Sequence, residues 1–497
     1  MRIVWMLALI SAAIYALAFP PVSLGPLMWL ALAPLFAACV RVTPGRAALL
    51  AGVFAVLAAG GVAYWLPDML RDFFGVPASW ALGGAAAVFV VFAGSYWALF
   101  GAWLSWVARR GWASPLVVAA GFVACEFARA NGLVPNPWAL SAHSQLGSPL
   151  VQAADLAGPY GLALLVGGVN AALAGLFVPA LRSGSRLRTM AGAALALACV
   201  WGYCVFRLAQ PIGDPARAIA VEVVHLPADA SPGAVPFAAP SRPPDLVLWP
   251  ESAVDFALRE PSAATNALLR TARASGADWL VGGPDERSGY GRSHSFNSMF
   301  LIRRGRLSAQ LDKVRLMPFA ESNPLRGWIE LDRTELTPGA RIRTLPLGAT
   351  RFGTAICSEA MDPHYVRELV AAGAEWIANP AKDRWFGDPA AAEMQLAATR
   401  LRAIESRRFV ARAAAGGVSA VVDPWGRVVA RADGAEPARI AATLEPSTLE
   451  TPYQRIGDRP AWLAVAIALV VAVLPPRRTR HSLPPRRSRR PFEVPRP

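Results

Sequence analysis

In the stretch FGTAICSEAMDPHYVRELV, residues 352–370, one cysteine, Cys357, stands between an apolar strand-like run and a helical segment, with Glu359 two residues on. Asp362 suits the N-cap of that helix and Pro363 its first turn, where a missing N–H costs nothing. A thiol ahead of a helix N-terminus feels the positive end of the dipole, which favours the thiolate. Two further groups stand at strand ends. In DLVLWPES (245–252) Pro250 closes a buried strand and leaves Glu251 just past it, and in SFNSMFLIRRGRLSAQLDKVRLMPFAE a hairpin turns over Arg303 to Arg306 and runs out at Lys313. Taken singly, Glu251 reads as a solvated loop residue, Lys313 as a surface lysine and Cys357 as a small core side chain. Together they form the set that amide and ester chemistry requires. A thiol at neutral pH is only a few per cent thiolate and needs a base or a lowered pKa. A well-placed glutamate can take the proton, which contributes roughly 10²–10⁴ in rate. A lysine can hold the thiolate and then the oxyanion of a tetrahedral intermediate.

The elements around these groups alternate. RFGTAIC is a third strand and AEWIANPAKDRWFGD supplies a fourth, with helical segments near 262–275, 363–373 and 389–407. Such alternation predicts a layered α/β domain in which reactive groups gather at strand ends.

The rest of the chain has a different character. Of 497 residues, 54% are hydrophobic and only 17% charged, and the apolar ones crowd into the first two hundred or so positions. Runs near 2–19, 22–40, 46–66, 80–107, 113–130, 150–180, 187–208 and 461–474 are candidate membrane spans, the last one short against the roughly 20 residues that a crossing needs. The expected domains are a membrane domain over 1–210 with about seven transmembrane helices, an α/β catalytic domain over 211–455, a final transmembrane helix over 456–475 and a basic Pro/Arg-rich cytoplasmic tail over 476–497. Arg2, Arg41, Arg46, Arg109, Arg110, Arg182, Arg186, Arg188 and the tail arginines fall at one set of span ends, while Arg71 and Arg129 mark the other. The positive-inside rule makes the first set cytoplasmic and exports the α/β domain. The net charge of +15 therefore follows from topology and not from nucleic-acid binding. Cys39, Cys125, Cys199 and Cys204 lie in or at spans, leaving Cys357 alone in the exported domain, where an unpaired thiol is buried or used. No His/Cys spacing suits zinc, so neither metal nor cofactor is expected.

At this point the sequence resembles a known family. WPES, LDKVRLMPFAE and AICSEAM look like the Glu, Lys and Cys blocks of the nitrilase superfamily. With LAFPPVSLGPLMWLALAPL, NPWALSAHSQLGSPLVQAADLAGPYGLALLVGGVNAAL and the segment from Asp383 to Val428, the pattern is similar to that of the apolipoprotein N-acyltransferases over nearly the whole chain. The resemblance implies a nitrilase-like α-β-β-α sandwich beside a multi-span helical membrane domain, in the bacterial inner membrane with the sandwich on the extracytoplasmic side. It implies Glu251 as general base, Lys313 as oxyanion and thiolate stabiliser, and Cys357 as the acylated nucleophile, with Glu321, Glu359 and Asn297 in support. It also implies a ping-pong reaction between two membrane partners, a phospholipid acyl donor and a diacylglyceryl apolipoprotein acceptor.

The pattern departs from the family in three places. A Pro/Ala-rich stretch, ADASPGAVPFAAPSRPP, stands where the family usually has a helix, which would thin one layer of the sandwich. Asn379-Pro380-Ala381-Lys382-Asp383-Arg384-Trp385-Phe386-Gly387 replaces Asn-x-Ser-Asn-Asp-x-Trp-Phe-Gly, and Ser358 stands where tyrosine is common. These changes leave open a divergent relative that hydrolyses the thioester or uses another acceptor, such as a nitrilase-like protein linked to conjugal transfer. A catalytically dead scaffold or transport-associated protein is the reading from another class, with Glu126 as its one intramembrane acid. PFAESNPLRGW (318–328) is a lid candidate.

Overall fold

Long apolar runs satisfy their backbone internally by coiling, and in the computed structural model of the protein they do so from the second residue onward. The structure describes residues 2–132, 134–182, 184–230, 243–289, 292–327 and 335–477. Four helical segments, Pro44–Val62, Ala78–Arg109, Pro149–Phe177 and Arg186–Ala209, are long and apolar enough to cross a membrane, and Arg2–Leu17, Gly25–Cys39 and Arg459–Val473 are shorter apolar helices. A further helix, Pro115–Asn131, carries Glu126 and Arg129. The segment Gly25–Cys39 is broken into three pieces around Leu32 and Pro34. Buried Asn170 repairs the break: its Oδ1 accepts from the Leu32 and Ala33 N–H groups at 2.8 and 2.9 Å, and its Nδ2 donates to the Met28 carbonyl. Glu126 is used in the same structural way. It accepts from the Ser141 N–H and hydroxyl at 2.9 and 2.8 Å, while Arg129 donates to the carbonyls of Asn136 and Trp138. Both residues pin the loop after their helix, which accounts for Glu126 without transport.

Beyond residue 218 the chain turns to strands. The first sheet contains β1 (Ile219–His225), β2 (Leu246–Leu248), β3 (Asp278–Gly289), β4 (Arg292–Arg303), β5 (Arg306–Asp312) and β12 (Ala438–Leu444), in the order β12-β1-β2-β3-β4-β5. The second contains β6 (Thr344–Leu347), β7 (Thr350–Thr354), β8 (Trp376–Lys382), β9 (Val410–Ala415), β10 (Ser419–Val422) and β11 (Val428–Ala432), in the order β11-β10-β9-β8-β7-β6. The central pairs β1–β2–β3 and β7–β8–β9 are parallel. Alternation along the strands sets the layers. Leu246 and Leu248 face the inter-sheet core with Phe352, Trp376 and Ala411, whereas Val247 and Trp249 face outward onto Leu268 and Ala272 of the helix Ala263–Ser275. The outer face of the second sheet is covered by Tyr365, Val366 and Leu369 of the helix Pro363–Ala371 and by Leu396 and Ala403 of the helix Pro389–Ser406. The result is the expected α-β-β-α sandwich. Residues 231–242 of the Pro/Ala-rich stretch, the lid candidate's Trp328 and tail residues 478–497 lie outside the described residues.

The two parts of the chain are joined by charge as well as by packing. Arg407 donates to Asp155 at 2.7 Å with both side chains fully buried, and Arg207 donates to the same carboxylate at 2.7 Å. One carboxylate thus ties two membrane helices to the helix that follows β8. Such a pair is costly to break because either partner alone would be a buried, unpaired charge.

Candidate active site

The loops at the strand ends converge. β2 delivers Glu251, buried at the start of the turn Glu251–Ser252 that follows Trp249 and Pro250. That turn lies hard against β3, where a Cβ on Gly282 would come within 2.6 Å of the Pro250 carbonyl oxygen and the Ser252 nitrogen, so only glycine fits. The hairpin β4–β5 delivers Asn297 and Lys313, the latter fixed by its own N–H to the Asn297 carbonyl at 2.8 Å. Around Lys313 the four polar side chains close on one another. Its Nζ donates to Glu321 Oε1 at 2.9 Å and to Glu251 Oε1 at 3.3 Å, and Asn297 Nδ2 donates to the same two oxygens at 3.1 and 2.5 Å. Glu321 is held in turn by the Met317 N–H at 2.7 Å.

Cys357 follows β7 and opens a 3-10 turn, Cys357–Met361, before the helix begins at Pro363. The sulfur is therefore a full turn away from the helix N-terminus that the sequence placed beside it. Burial dominates instead. It pushes the thiol well above its ordinary range, Glu251 pushes the same way, and the Lys313 charge and an N–H from Lys382 only partly oppose them. The resting group is a neutral thiol, which makes a base obligatory. At Lys313 burial disfavours the ammonium, but Glu251 and Glu321 together outweigh it and keep the amine charged well above its usual range. At Glu321 burial opposes ionisation, yet the Lys313 charge and hydrogen bond, with the Met317 N–H, hold the carboxyl below its ordinary value.

Backbone strain collects here. Cys357, Ser252 beside Glu251 and Phe319 near Glu321 all have positive φ, at 52°, 51° and 64°. Non-glycine residues pay about 1–3 kcal/mol each for such conformations, which persist where the surroundings over-determine them.

Glu359 does not line the cavity of Cys357; it sits behind the turn. Its Oε1 accepts from the Val314 and Arg315 N–H groups at 2.7 and 2.9 Å and its Oε2 from the Ile356 N–H at 2.7 Å. One carboxyl thereby locks the residues after Lys313 to the residue before Cys357. Burial raises its pKa to about 7 against those three donors. A carboxyl raised in the fold contributes stability that is fully present below its unfolded value near 4.5 and lost as pH rises through about 7. Glu359→Gln turns one acceptor into a donor facing an N–H, a cost of about 1–3 kcal/mol. We expect a lower melting temperature for this variant, a tenfold or greater loss of rate, and a stability profile without the wild-type fall between pH 4.5 and 7, read from melting in detergent against pH.

Several residues of the site escaped the sequence reading. Asn379 donates to the Ala355 carbonyl at 2.6 Å and to the Cys357 carbonyl at 3.4 Å, and its Oδ1 accepts from Arg412 at 2.6 Å. Arg412 also donates to Asp383 at 2.6 Å, with both side chains fully buried. An arginine inside the otherwise apolar strand VARAAA was the available signal, because such a charge must be paired. The changed loop thus still grips the nucleophile through Asn379 and holds Asp383.

Glu251, Asn297, Lys313, Glu321 and Cys357 line one cavity of about 430 Å³, together with Lys382 and Trp385. A second cavity of about 240 Å³ adjoins it and is walled by apolar residues of the membrane helices, including Phe54, Phe89 and Trp97. Met317 and Trp385 border both, and Pro318 and Phe319 of the lid candidate border the second.

Comparison with known proteins agrees with this pairing of a helical bundle and a two-sheet sandwich. The family model for the apolipoprotein N-acyltransferase N-terminal domain matches residues 11–172, and that for carbon-nitrogen hydrolase matches residues 205–452. An apolipoprotein N-acyltransferase of Geobacter metallireducens is 28% identical over 502 residues, covering 95% of each chain. One of Bordetella bronchiseptica is 29% identical over 531 residues, covering 95% of this chain and 96% of that one. One of Agrobacterium fabrum is 30% identical over 448 residues, covering 83% of this chain and 82% of its own. The aligned regions cover 82–96% of these relatives, and the chain belongs to the apolipoprotein N-acyltransferase family.

Proposed function

We propose that this membrane protein transfers a fatty acyl chain from a phospholipid, through a thioester on Cys357, to the N-terminal amine of S-diacylglyceryl-cysteine on apolipoproteins. One observation carries the reading most directly: the cavity holding a thiol, a carboxyl and a paired ammonium shares the walls Met317 and Trp385 with an apolar cavity between membrane helices. An acyl chain in the apolar cavity would bring its ester to Cys357. Glu251 takes the thiol proton as sulfur attacks the ester carbonyl, and the oxyanion forms against the Lys313 ammonium. Collapse expels the glycerol oxygen, which recovers the proton from Glu251 and leaves as lysophospholipid. The acceptor amine then attacks the thioester carbon, Glu251 takes its proton, and the departing thiolate recovers that proton from Glu251 as the amide forms. Asn297 and Glu321 position Lys313 and Glu251 for both halves.

The same proposal assigns residues 1–210 to the membrane domain, 211–455 to the catalytic domain, 456–475 to a final transmembrane helix and 476–497 to a cytoplasmic tail. It places the protein in the bacterial inner membrane with the catalytic domain on the extracytoplasmic side. Arginine placement supports that orientation. Both substrates are held in a membrane, so a site beside the bundle meets them at high effective concentration.

The test is the intact mass of detergent-purified protein after incubation with phosphatidylethanolamine. A fatty-acyl increase that hydroxylamine removes is expected, and addition of a diacylglyceryl peptide should discharge it onto the peptide amine. No adduct and no lysophospholipid, with folded protein and varied donors, would refute the acyl-transfer reading.

A further inference from the structure

The catalytic cavity carries a second cation that the proposed chemistry leaves idle. Glu251, Glu321 and Asp255 line it as carboxyls, and Lys313 is committed to the first two. The remaining cation on the wall is Lys382, at the end of β8. Its chain neighbours are engaged, Asp383 with Arg412 and Arg384 with the Ala230 carbonyl. Among the described residues the Lys382 ammonium has neither an ion-pair nor a hydrogen-bond partner. Half-buried and unpaired, a lysine in such a cavity is a ready site for an anion.

Its place along the chain fixes how near that anion lies to the reacting atoms. The Lys382 N–H donates to the Cys357 sulfur, so the side chain starts beside the nucleophile. A flexible four-carbon stem then carries the ammonium away from the sulfur. In a glycerophospholipid, a few bonds of glycerol separate the ester carbonyl from the phosphorus, a comparable span. Lys382 cuts the excess of carboxyls over ammoniums on the cavity wall from two to one and sets a positive charge where a phosphodiester would lie.

We infer that Lys382 is a specificity-determining residue that binds the phosphodiester of the acyl donor while its ester lies at Cys357. This rests on the acyl-transfer reading above. Lys382 selects donors that carry a phosphate, takes no part in proton transfer, and is not needed by the acceptor in the second half of the reaction.

The experiment compares the rate of thioester formation, by intact mass, with phosphatidylethanolamine and with diacylglycerol of the same chains, in wild type, Lys382→Gln and Lys382→Arg. Wild type should prefer the phospholipid. Lys382→Gln should lose about 10- to 100-fold of that preference, as befits a charge-assisted hydrogen bond, while its diacylglycerol rate and its discharge by a diacylglyceryl peptide stay within about twofold. Lys382→Arg should keep most of the preference. Because each variant is scored on a ratio of two donors, partial loss of folded protein cancels. An unchanged ratio in Lys382→Gln, or an equal fall with both donors, overturns the inference while leaving acyl transfer intact. Competition by inorganic phosphate that Lys382→Gln relieves without a change in donor ratio assigns a free-ion site and overturns it as well. Absence of thioester in wild type with either donor overturns the acyl-transfer reading itself.

Discussion

Cys357→Ala is expected to abolish the acyl-enzyme and to lower transfer by at least about 10⁴-fold, as loss of a nucleophile does where the remaining groups only bind and polarise. The fold should survive. Alanine keeps the same positive-φ backbone at 52° without new strain, and loss of one buried sulfur costs about 1 kcal/mol, which shifts melting by only about 2–4 °C in a domain of this size. Cys357→Ser should also fail, because a hydroxyl is a far weaker nucleophile than sulfur at the same base. The wild-type thiol carries its own signature. With its pKa raised well above the ordinary value by burial and then by Glu251, its thiolate fraction is small at neutral pH and grows only as pH rises through that raised value. Alkylation at Cys357, followed by peptide mass mapping, should therefore be slow at pH 7 in the folded protein and climb steeply with pH, whereas the same thiol in denatured protein reacts readily. Fast alkylation of Cys357 at pH 7, or acyl transfer by the alanine variant, would exclude it as a base-dependent nucleophile.

Much of this architecture is legible in the chain because solvent imposes it. Apolar runs have no stable place in water, and their lengths place the expected helices within a few residues, including the short final one at Arg459–Val473, except that the run at 22–40 is broken into three pieces. The strand ends that carry Glu251, Lys313 and Cys357 are marked by local events, a proline, a hairpin turn and an abrupt loss of apolar pattern. What the sequence hides is long-range. Glu359 reads as a neighbour of the nucleophile, yet its three partners include two residues more than forty positions upstream. Nothing local announces that Asn170 repairs a broken helix 138 residues away, or that Asp155 waits for Arg407. The dipole expectation for Cys357 fails for a related reason. A helix start can be read from Asp362 and Pro363, but the 3-10 turn that separates sulfur from helix is set by Glu359 and by the packing beneath it, and burial is a property of the whole sandwich.

Lys313→Met should damage rate and fold together, and the two effects can be separated. Loss of a preorganised cation facing the oxyanion costs about 10²–10³ in rate. In the fold, Glu251 and Glu321 would remain as buried carboxyls with no countercharge, and breaking a buried pair from one side costs about 3–5 kcal/mol. The pH dependence then reverses. In the wild type, Glu321 is held below its ordinary 4.5, so its contribution is present above pH 4.5 and lost as pH falls through the lowered value. Lys313 is held well above 10.5, so its contribution is complete below pH 10.5 and lost as pH rises through the raised value. The cluster is therefore most stabilising between those limits. Without the lysine, burial acts on Glu321 with its main opposing charge gone, the neutral carboxyl suits the site, and stability should increase as pH falls toward 4.5. Lys313→Met with Glu321→Gln removes the nearer uncompensated charge, so it should melt higher than Lys313→Met alone at pH 7 while remaining just as inactive. A Lys313→Met protein that melts within 2 °C of wild type at pH 7, and gains nothing from Glu321→Gln, would show that Lys313 is not the countercharge of this cluster. A rescued melting temperature without rescued activity separates its work on the oxyanion from its work on the fold.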